Sequence, residues 1–249
     1  MKAMILMALL ALMFLIIPSE AKERKGKTVQ PATVVKWSQE GSSDMTQMVN
    51  LTDEAEKFIK AQVGRKGKLK SLSFTDGYRL PSEPPVNAVV SPLIYEANCT
   101  YTAEFDYSKC KDMFTWDIDY GIFSPLSLPV NVTVRLIRKH RNVTVSLELN
   151  GASHLTWSPR KAKSTEGKMP PAIVKQKCNF SAETTYTGYI AYRLGEVRGD
   201  MPNNDAFNIA SLEDRKKGLE RRGDMLLYNV TGTFLHLCRG KRVKLHENN

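Results

Sequence analysis

Residues 99–151 decide the fold, and they read CTYTAEFDYSKCKDMFTWDIDYGIFSPLSLPVNVTVRLIRKHRNVTVSLELNG. Apolar and polar residues alternate along four segments of this stretch. The predicted inward-facing sets are Cys99, Tyr101, Ala103, Phe105 and Tyr107; Phe114, Trp116, Ile118, Tyr120 and Ile122; Val130, Val132, Val134 and Leu136; and Val143, Val145, Leu147 and Leu149. Period-two alternation of this kind is typical of half-buried antiparallel strands. The sequence therefore predicts a mainly β protein, an antiparallel sandwich or barrel with one face in water.

Two helices interrupt this β pattern. Asp53 and Glu56 have the spacing of a capping box and predict a short N-terminal helix that ends at Gly64. Its apolar stripe is Ala55, Phe58, Ile59 and Val63. A late charged helix is predicted over residues 211–222, with Gly218 inside it. The N-terminal helix is short and amphipathic, so it is expected to pack on the sheet rather than to hold a ligand.

The first 21 residues predict export. Lys2 precedes an apolar run over residues 3–17, and Ser19-Glu20-Ala21 supplies a small-residue cleavage site. These three features together are typical of a secretory signal peptide, and the run is shorter than the roughly 20 residues of a transmembrane helix. We therefore expect a secreted, extracellular protein. It comprises one β-rich domain over residues 22–249, with loose ends at 22–33 and 240–249.

Four cysteines in an exported chain predict two disulfides. If residues 99–107 and 112–122 form a hairpin, Cys99 lies about 26 Å from the turn that holds Cys110. A disulfide requires Cα atoms within about 7 Å, so a Cys99–Cys110 bond is incompatible with that hairpin. We predict that Cys99 and Cys110 each bond to Cys178 or Cys238, and the choice between the two pairings stays open.

N-glycosylation is predicted at the Asn-x-Ser/Thr triplets. The six acceptors are Asn50, Asn98, Asn131, Asn142, Asn179 and Asn229. Because neighbouring side chains of a strand point to opposite faces, each glycan would mark the outer face of its strand. Asn131 and Asn142 then agree with the alternation, while Cys99, Cys178 and Cys238 fall on the inner face.

The formal net charge of +10 favours acidic partners, which for an exported protein are sulfated glycans or acidic proteins rather than nucleic acid. The basic clusters span residues 22–27, 65–70, 138–141, 160–168, 215–222 and 239–244. They form either a converging anion-binding patch or a set of solvated loops and strand ends. A linear sequence does not distinguish these two arrangements.

No pattern of residues predicts an enzyme, a cofactor or a metal site. Nucleophile-elbow, zinc-protease and phosphate-loop motifs are missing from the sequence. The four histidines are dispersed without metal-ligand spacing: His140, His154, His236 and His246. His236 shares the inner face with Phe234, which favours a core histidine. Asp117 and Asp119 are predicted on a solvated strand face, which favours ordinary solvated carboxylates over a catalytic pair.

The layout resembles that of the secreted salivary immunosuppressant glycoproteins of ticks. The likeness rests on the signal peptide ending in Pro18-Ser19-Glu20-Ala21, the Lys-rich mature start, the dispersed acceptor asparagines and the four cysteines. The run over residues 228–238, YNVTGTFLHLC, is the segment that aligns first. This resemblance implies a non-enzymatic protein that binds a host immune protein or leukocyte surface and dampens host lymphocyte responses. It implies no particular ligand-binding residue.

Two alternatives stay open at this point. One is a lipocalin-like carrier of a small host mediator, in which inward aromatics line a sealed cavity within one closed barrel. The aromatics for that cavity would be Tyr101, Phe105, Trp116, Tyr120 and Tyr192. The other is a secreted protein that binds heparan sulfate through its basic clusters, with an affinity that falls steeply with salt.

Overall fold

Strands dominate the part of the chain that the structure describes. The structure is a computed structural model that describes residues 47–76, 80–97, 99–101, 111–137, 139–159, 172–199 and 202–239. In chain order its elements are β1 (Gln47–Asn50), α1 (Leu51–Val63), β2 (Lys68–Ser73), β3 (Asn87–Val90), β4 (Ile94–Tyr95), β5 (Thr100–Tyr101), β6 (Lys111–Phe123), β7 (Pro129–Leu136), β8 (Arg141–Glu148), β9 (His154–Trp157), β10 (Ala172–Thr187), β11 (Tyr189–Gly195), β12 (Asn204–Asn208), two 3₁₀ helices (Ile209–Leu212 and Arg215–Lys217), β13 (Glu220–Arg222) and β14 (Met225–Arg239). The predicted mainly β fold is confirmed.

Three sheets make up the described fold. The largest runs in the order β1-β6-β14-β10-β3, with β9 beside β6, β13 beside β14, and β4 and β5 beside β10. A second sheet has the order β12-β11-β2, and β7 and β8 form a two-stranded hairpin. Apolar residues of all three sheets meet in one core. The described strands pack as a sandwich and do not close into a barrel, so the barrel alternative is wrong.

The hairpin of β7 and β8 follows the predicted alternation. Val130, Val132, Val134 and Leu136 are buried, while the residues between them are exposed. On β8, Val145 and Leu147 are buried in the same way, and Leu149 directly after the strand is also buried. Because this ribbon covers the core with one face only, burial imposes period two along its whole length.

A bulge in β6 explains why one predicted inward residue is wrong. Phe114, Trp116, Ile118 and Ile122 are buried as predicted, but Tyr120 is 51% exposed. Thr231 of β14 pairs with Tyr120 and Gly232 pairs with Ile118, so Asp119 is an extra residue in the ladder. Gly232 permits this close approach, because a Cβ atom there would lie 2.0 Å from the carbonyl oxygen of Asp117.

Helix α1 begins earlier than the capping box predicts. Asn50, rather than Asp53, caps it by accepting hydrogen bonds from the backbone N–H groups of Thr52 at 3.0 Å and Asp53 at 3.4 Å. The predicted end is confirmed at Gly64, which has a φ of +56°. The predicted apolar stripe is confirmed by the burial of Ala55, Ile59 and Val63 and by the packing of Phe58 against the core.

The late charged helix is wrong as an α-helix. Residues 211–222 form parts of the two 3₁₀ helices and β13. Asn208 and Asp214 each cap a separate short turn, accepting from the N–H groups of Ala210 at 2.8 Å and Lys216 at 3.1 Å. Gly218 then turns the chain with a φ of +75°. Local side-chain caps therefore divide a segment whose composition alone predicts a helix.

One predicted disulfide, that between Cys99 and Cys178, is confirmed. The predicted hairpin of residues 99–107 with 112–122 is wrong at its described residues, Thr100 and Tyr101. Cys99 is bonded to Cys178, with Cα atoms 4.4 Å apart. Cys238 is also disulfide-bonded. Thr100 and Tyr101 pair with β10 and not with β6, because the bond to Cys178 holds this segment at the edge of β10. Cys110 and the rest of the predicted hairpin turn lie outside the described residues.

Several predictions fall on residues outside the described ranges. These are the signal peptide over residues 1–21, the loose ends at 22–33 and 240–249, Asn98, the predicted inward-facing Ala103, Phe105 and Tyr107, the basic clusters at 22–27 and 160–168, and the 239–244 cluster beyond Arg239. Among the described helices, none has the length and apolar character to cross a membrane.

Candidate functional site

A groove runs between α1 and β2. It has a volume of about 790 Å³, which is within the range of ligand-binding clefts. Its apolar lining is contributed by Ile59, Val63, Leu69, Leu72 and Phe74. Lysine and other polar side chains complete the walls. We call this cavity the α1–β2 groove.

The apolar stripe of α1 positions the groove. Ile59 and Val63 form a buried cluster with Leu194 of β11, so the helix lies against the three-stranded sheet. Nearer the start of the helix, the ring of Phe58 contacts that of Phe207 on β12, with centroids 4.6 Å apart. These contacts hold the helix beside β2, which is one of the two outer strands of the described three-stranded sheet.

The polar walls of the groove are predominantly cationic. Lys60, Lys68 and Lys70 line it together with one carboxylate, that of Glu56. Lys60 forms an ion pair with Glu56 at 2.8 Å. Neither Lys68 nor Lys70 has an ion pair with a described residue, and both are exposed. Among the described residues, no carboxylate therefore pairs with these two positive charges, which lie beside the apolar lining of the groove.

Further basic residues lie at one end of the α1–β2 groove. The backbone N–H of Arg198 donates to the carbonyl oxygen of Lys66 at 2.8 Å, which brings the loop after β11 beside the turn after α1. Arg65, Lys66 and Arg198 are all exposed. The predicted 65–70 cluster thus gains Lys60 and Arg198, which sequence reasoning did not assign to it. No sequence signal joins Arg198 to this cluster, because the contact depends on how β11 pairs with β2.

The 215–222 cluster has a different electrostatic environment. Lys217 donates to Glu54 of α1 at 2.6 Å and lies 3.2 Å from Asp214. Arg215 pairs with Glu213 at 3.0 Å, and Arg222 lies 3.9 Å from Glu183. Carboxylates therefore compensate much of this cluster. The hydrogen bond to Glu54 raises the pKa of Lys217.

The hydrogen bond with Lys217 also affects the pKa of Glu54. Burial raises the pKa of Glu54, but hydrogen bonds and charge attraction from Lys217 and Lys57 outweigh burial and leave that pKa below its usual value. The side chain of Glu54 is only 13% exposed. It ties the 3₁₀ helix of Lys217 to α1, so this cluster has a structural role.

A polar array that the sequence did not reveal lies on the outer face of β6 and β9. Asp117 Oδ1 contacts His154 Nδ1, and His154 Nε2 lies 2.7 Å from Thr156 Oγ1. The hydrogen bond with Asp117 raises the pKa of His154. Both ionisable side chains are nearly half exposed, on a face that the described residues do not enclose. Cross-strand pairing of residues 37 positions apart creates this array.

His236 is a core histidine, as predicted. Its Nε2 atom lies 2.8 Å from Oδ1 of Asp112, and both side chains are 5% exposed. The imidazole also stacks on Phe114 at a centroid distance of 4.2 Å. The pair lies inside the sandwich, away from the α1–β2 groove.

Four predicted glycan acceptors are exposed on strands. Asn131 and Asn142 occupy the solvent face of the β7–β8 hairpin, and Asn179 and Asn229 occupy the outer face of β10 and β14. Asn50 is half-buried as the cap of α1. The structure supports the predicted outer faces, while glycosylation itself stays a prediction.

The described aromatics of the carrier alternative do not line a common cavity. Trp116 is buried in the core, whereas Tyr101 is 67% and Tyr120 is 51% exposed. Tyr192 packs beside the small cluster under α1, and Phe105 lies outside the described residues. Among the described residues, no group of three or more His, Cys, Asp or Glu side chains could hold a metal ion.

A scan against protein-family models and a search of curated proteins find no match for the sequence. Solved structures do resemble the chain. A non-toxic crystal protein from Bacillus thuringiensis is 10% identical with a TM-score of 0.45, over 78% of this chain and 94% of that one. The Cry23Aa1 and Cry37Aa1 binary complex gives 17% identity, a TM-score of 0.39, and coverage of 78% and 86%. The Mpp75Aa1.1 beta-pore-forming protein from Brevibacillus laterosporus gives 11% identity, a TM-score of 0.25, and coverage of 71% and 67%.

Proposed function

We propose that this chain is a secreted, N-glycosylated, non-enzymatic binding protein that takes an anionic extracellular partner in its α1–β2 groove. The observation that carries the proposal is the presence of Lys68 and Lys70, without paired carboxylates among the described residues, in a groove of about 790 Å³. Secretion and glycosylation are part of the proposal because the sequence predicts a signal peptide and six acceptor triplets.

Electrostatics favour an anionic partner. A carboxylate or sulfate about 4 Å from a lysine ammonium group gains about 4 kcal/mol of Coulomb energy at an effective dielectric constant of 20. Lys68 and Lys70 are exposed, so desolvation and solvent screening reduce the net gain of one such contact to about 0–1 kcal/mol, and several contacts together would supply the affinity. The excess of positive charge over the whole chain would also speed the approach of such a partner.

The positions of four of the five described glycan acceptors agree with this choice of site, whereas Asn50, the cap of α1, lies beside Thr52 of the groove lining. Asn131 and Asn142 would cover the β7–β8 hairpin, and Asn179 and Asn229 would cover the outer face of the large sheet. A glycan projects into water and hinders protein contact around it. The α1–β2 groove lies on neither of these two faces.

The proposal is tested with the glycosylated protein and two polyanions, heparin and poly-glutamate. We compare the double variant Lys68→Glu and Lys70→Glu with the double variant Lys139→Glu and Arg141→Glu, which changes the net charge equally at the β7–β8 turn. The groove variant is expected to lose at least tenfold in affinity, and the control is expected to lose less than threefold. Equal losses would show that only net charge matters, and the absence of polyanion binding by the parent protein would refute the proposal.

The immune role that the resemblance implies belongs to the same proposal. A host immune protein or a leukocyte surface would then supply the anionic partner. The expected result is that the glycosylated protein binds leukocytes and lowers T-cell proliferation, and that the groove variant does neither. If the parent protein failed to bind leukocytes and left proliferation unchanged, the immune role would be withdrawn.

A further inference from the structure

Strand β2 lines the α1–β2 groove and has one edge that no described strand covers. Within the part of the chain that the structure describes, β2 pairs with β11 on one side and with no strand on the other. Half of the backbone N–H and C=O groups of an edge strand point away from its one neighbour, which makes the strand a template for another extended chain.

The groove follows this strand along its length. Its lining includes Lys68, Leu69, Lys70, Leu72 and Ser73 of β2, and it continues to Thr75. The six residues of β2 span about 20 Å in extended conformation. On the opposite side, the lining includes one flank of α1 from Thr52 to Gly64. A site lined by α1 on one side and by successive residues of β2 on the other suits an extended peptide.

Chemistry selects the kind of peptide. Lysines on an edge strand repel the same edge of a second copy of this chain, because like charges would then face each other. The same lysines attract a strand that carries carboxylates. Buried Phe74 and the partly buried Leu69 and Leu72 offer apolar contacts for the alternate side chains of that strand.

We propose that the occupant of the α1–β2 groove is an extended acidic segment of a partner protein, which adds to β2 as a further strand. Its backbone hydrogen-bonds to the edge of β2 that no described strand covers, its carboxylates contact Lys68 and Lys70, and its apolar side chains pack on the apolar lining of the groove. This inference rests on the proposed function and names the partner class for the same site.

The experiment uses the full glycosylated chain and a capped six-residue peptide that alternates glutamate and valine. Two further peptides carry backbone N-methyl groups on the glutamates only or on the valines only. In a strand, alternate residues direct their N–H groups to the same edge. We therefore expect one methylated peptide to lose at least tenfold in affinity, while the other stays within threefold of the parent peptide.

Each outcome is decisive. If both methylated peptides bind as well as the parent peptide, strand addition is refuted although the anionic site stands. If heparin fragments bind in a manner that requires Lys68 and Lys70 while no peptide binds, the partner is a glycan and the inference fails. If neither probe depends on these lysines, the proposed function itself fails. Circular dichroism and thermal unfolding of each variant verify that it folds.

Discussion

Two basic regions of similar composition have different roles in this molecule. Residues 65–70 and 215–222 are both rich in lysine and arginine. In the second region, Lys217 and Arg215 are paired with carboxylates, and Lys217 ties its turn to Glu54 of α1. In the first, Lys68 and Lys70 line a groove without such partners among the described residues. The comparison shows that the placement of carboxylates, and not the density of positive charge, separates a candidate binding site from a structural contact.

The largest effect is expected from removing the wall of the groove. Ile59 and Leu219 are both fully buried. Ile59 belongs to α1 and lines the groove, whereas Leu219 belongs to the 215–222 region. Replacing either by alanine should lower the free energy of unfolding by about 2–5 kcal/mol, because a cavity remains. Denaturant unfolding measures this loss. Under conditions where both variants stay folded, only Ile59→Ala should weaken polyanion binding; an equal effect of Leu219→Ala would break the comparison.

The second-largest effect is expected from removing the positive charges of the groove without reversing them. Neutralising Lys68 and Lys70 to methionine should weaken binding of poly-glutamate about tenfold, which corresponds to about 1.4 kcal/mol. The matched variant, Lys216→Met with Arg221→Met, should change the affinity less than threefold. Isothermal titration at two salt concentrations measures both constants, and the affinity of the parent protein should fall as salt screens the lysines. A larger loss of affinity in the 215–222 variant would show that poly-glutamate binds at residues 215–222 and not in the groove.

The cap of α1 gives an effect of intermediate size. Asn50→Ala should cost about 1 kcal/mol of stability, because two N–H groups at the start of the helix lose their acceptor. Asn50→Asp keeps an acceptor and serves as the control, since it also abolishes the glycan acceptor. Thermal unfolding compares the two variants. Equal destabilisation would indicate that loss of the glycan, rather than loss of the cap, is responsible.

The contact between Lys217 and Glu54 should give a smaller effect that depends on pH. Because the pKa of Glu54 is lowered in the folded state, its stabilising contribution is present above the usual pKa of about 4.5 and is lost as pH falls through the lowered value. Lys217→Met should remove up to about 1 kcal/mol at pH 7. Unfolding measured from pH 7 to pH 3 should show a shallower acid dependence for this variant. Identical slopes would contradict the assigned role.

The smallest effect is expected at the exposed pair of Asp117 and His154, which lies outside both basic regions. The raised pKa of His154 means that its contribution to stability is present below about pH 6.5, the usual value, and is lost as pH rises through the folded pKa. NMR titration should show the pKa of His154 falling in Asp117→Asn. The affinity of the α1–β2 groove for poly-glutamate should be the same in this variant as in the parent protein. A changed affinity would contradict the independence of the groove from the Asp117–His154 pair.

The sequence predicts those features that one element determines by itself. The β7–β8 alternation is correct because burial on a single face fixes every second residue, and the end of α1 is correct because Gly64 adopts a positive φ. Tyr120 is wrong because the bulge at Asp119 depends on Gly232 of another strand. The late helix is wrong because Asn208 and Asp214 cap short turns whose caps compete with an α-helix.

The candidate site could be predicted only in part, for a related reason. Lys68 and Lys70 stand out as members of a basic cluster, but nothing in the sequence shows that they line a groove or that Arg198 reaches Lys66. Nor does it show that Lys217 is compensated by Glu54, which lies 163 positions earlier. Contacts between distant elements decide both questions.

The most direct test of the account is amide hydrogen exchange of the glycosylated protein with and without the acidic six-residue peptide. Binding in the α1–β2 groove predicts slower exchange for amides of Lys68–Ser73 and no change over residues 215–222. Slower exchange at 215–222, or unchanged exchange along β2 at saturating peptide, would contradict the assignment of the groove as the binding site.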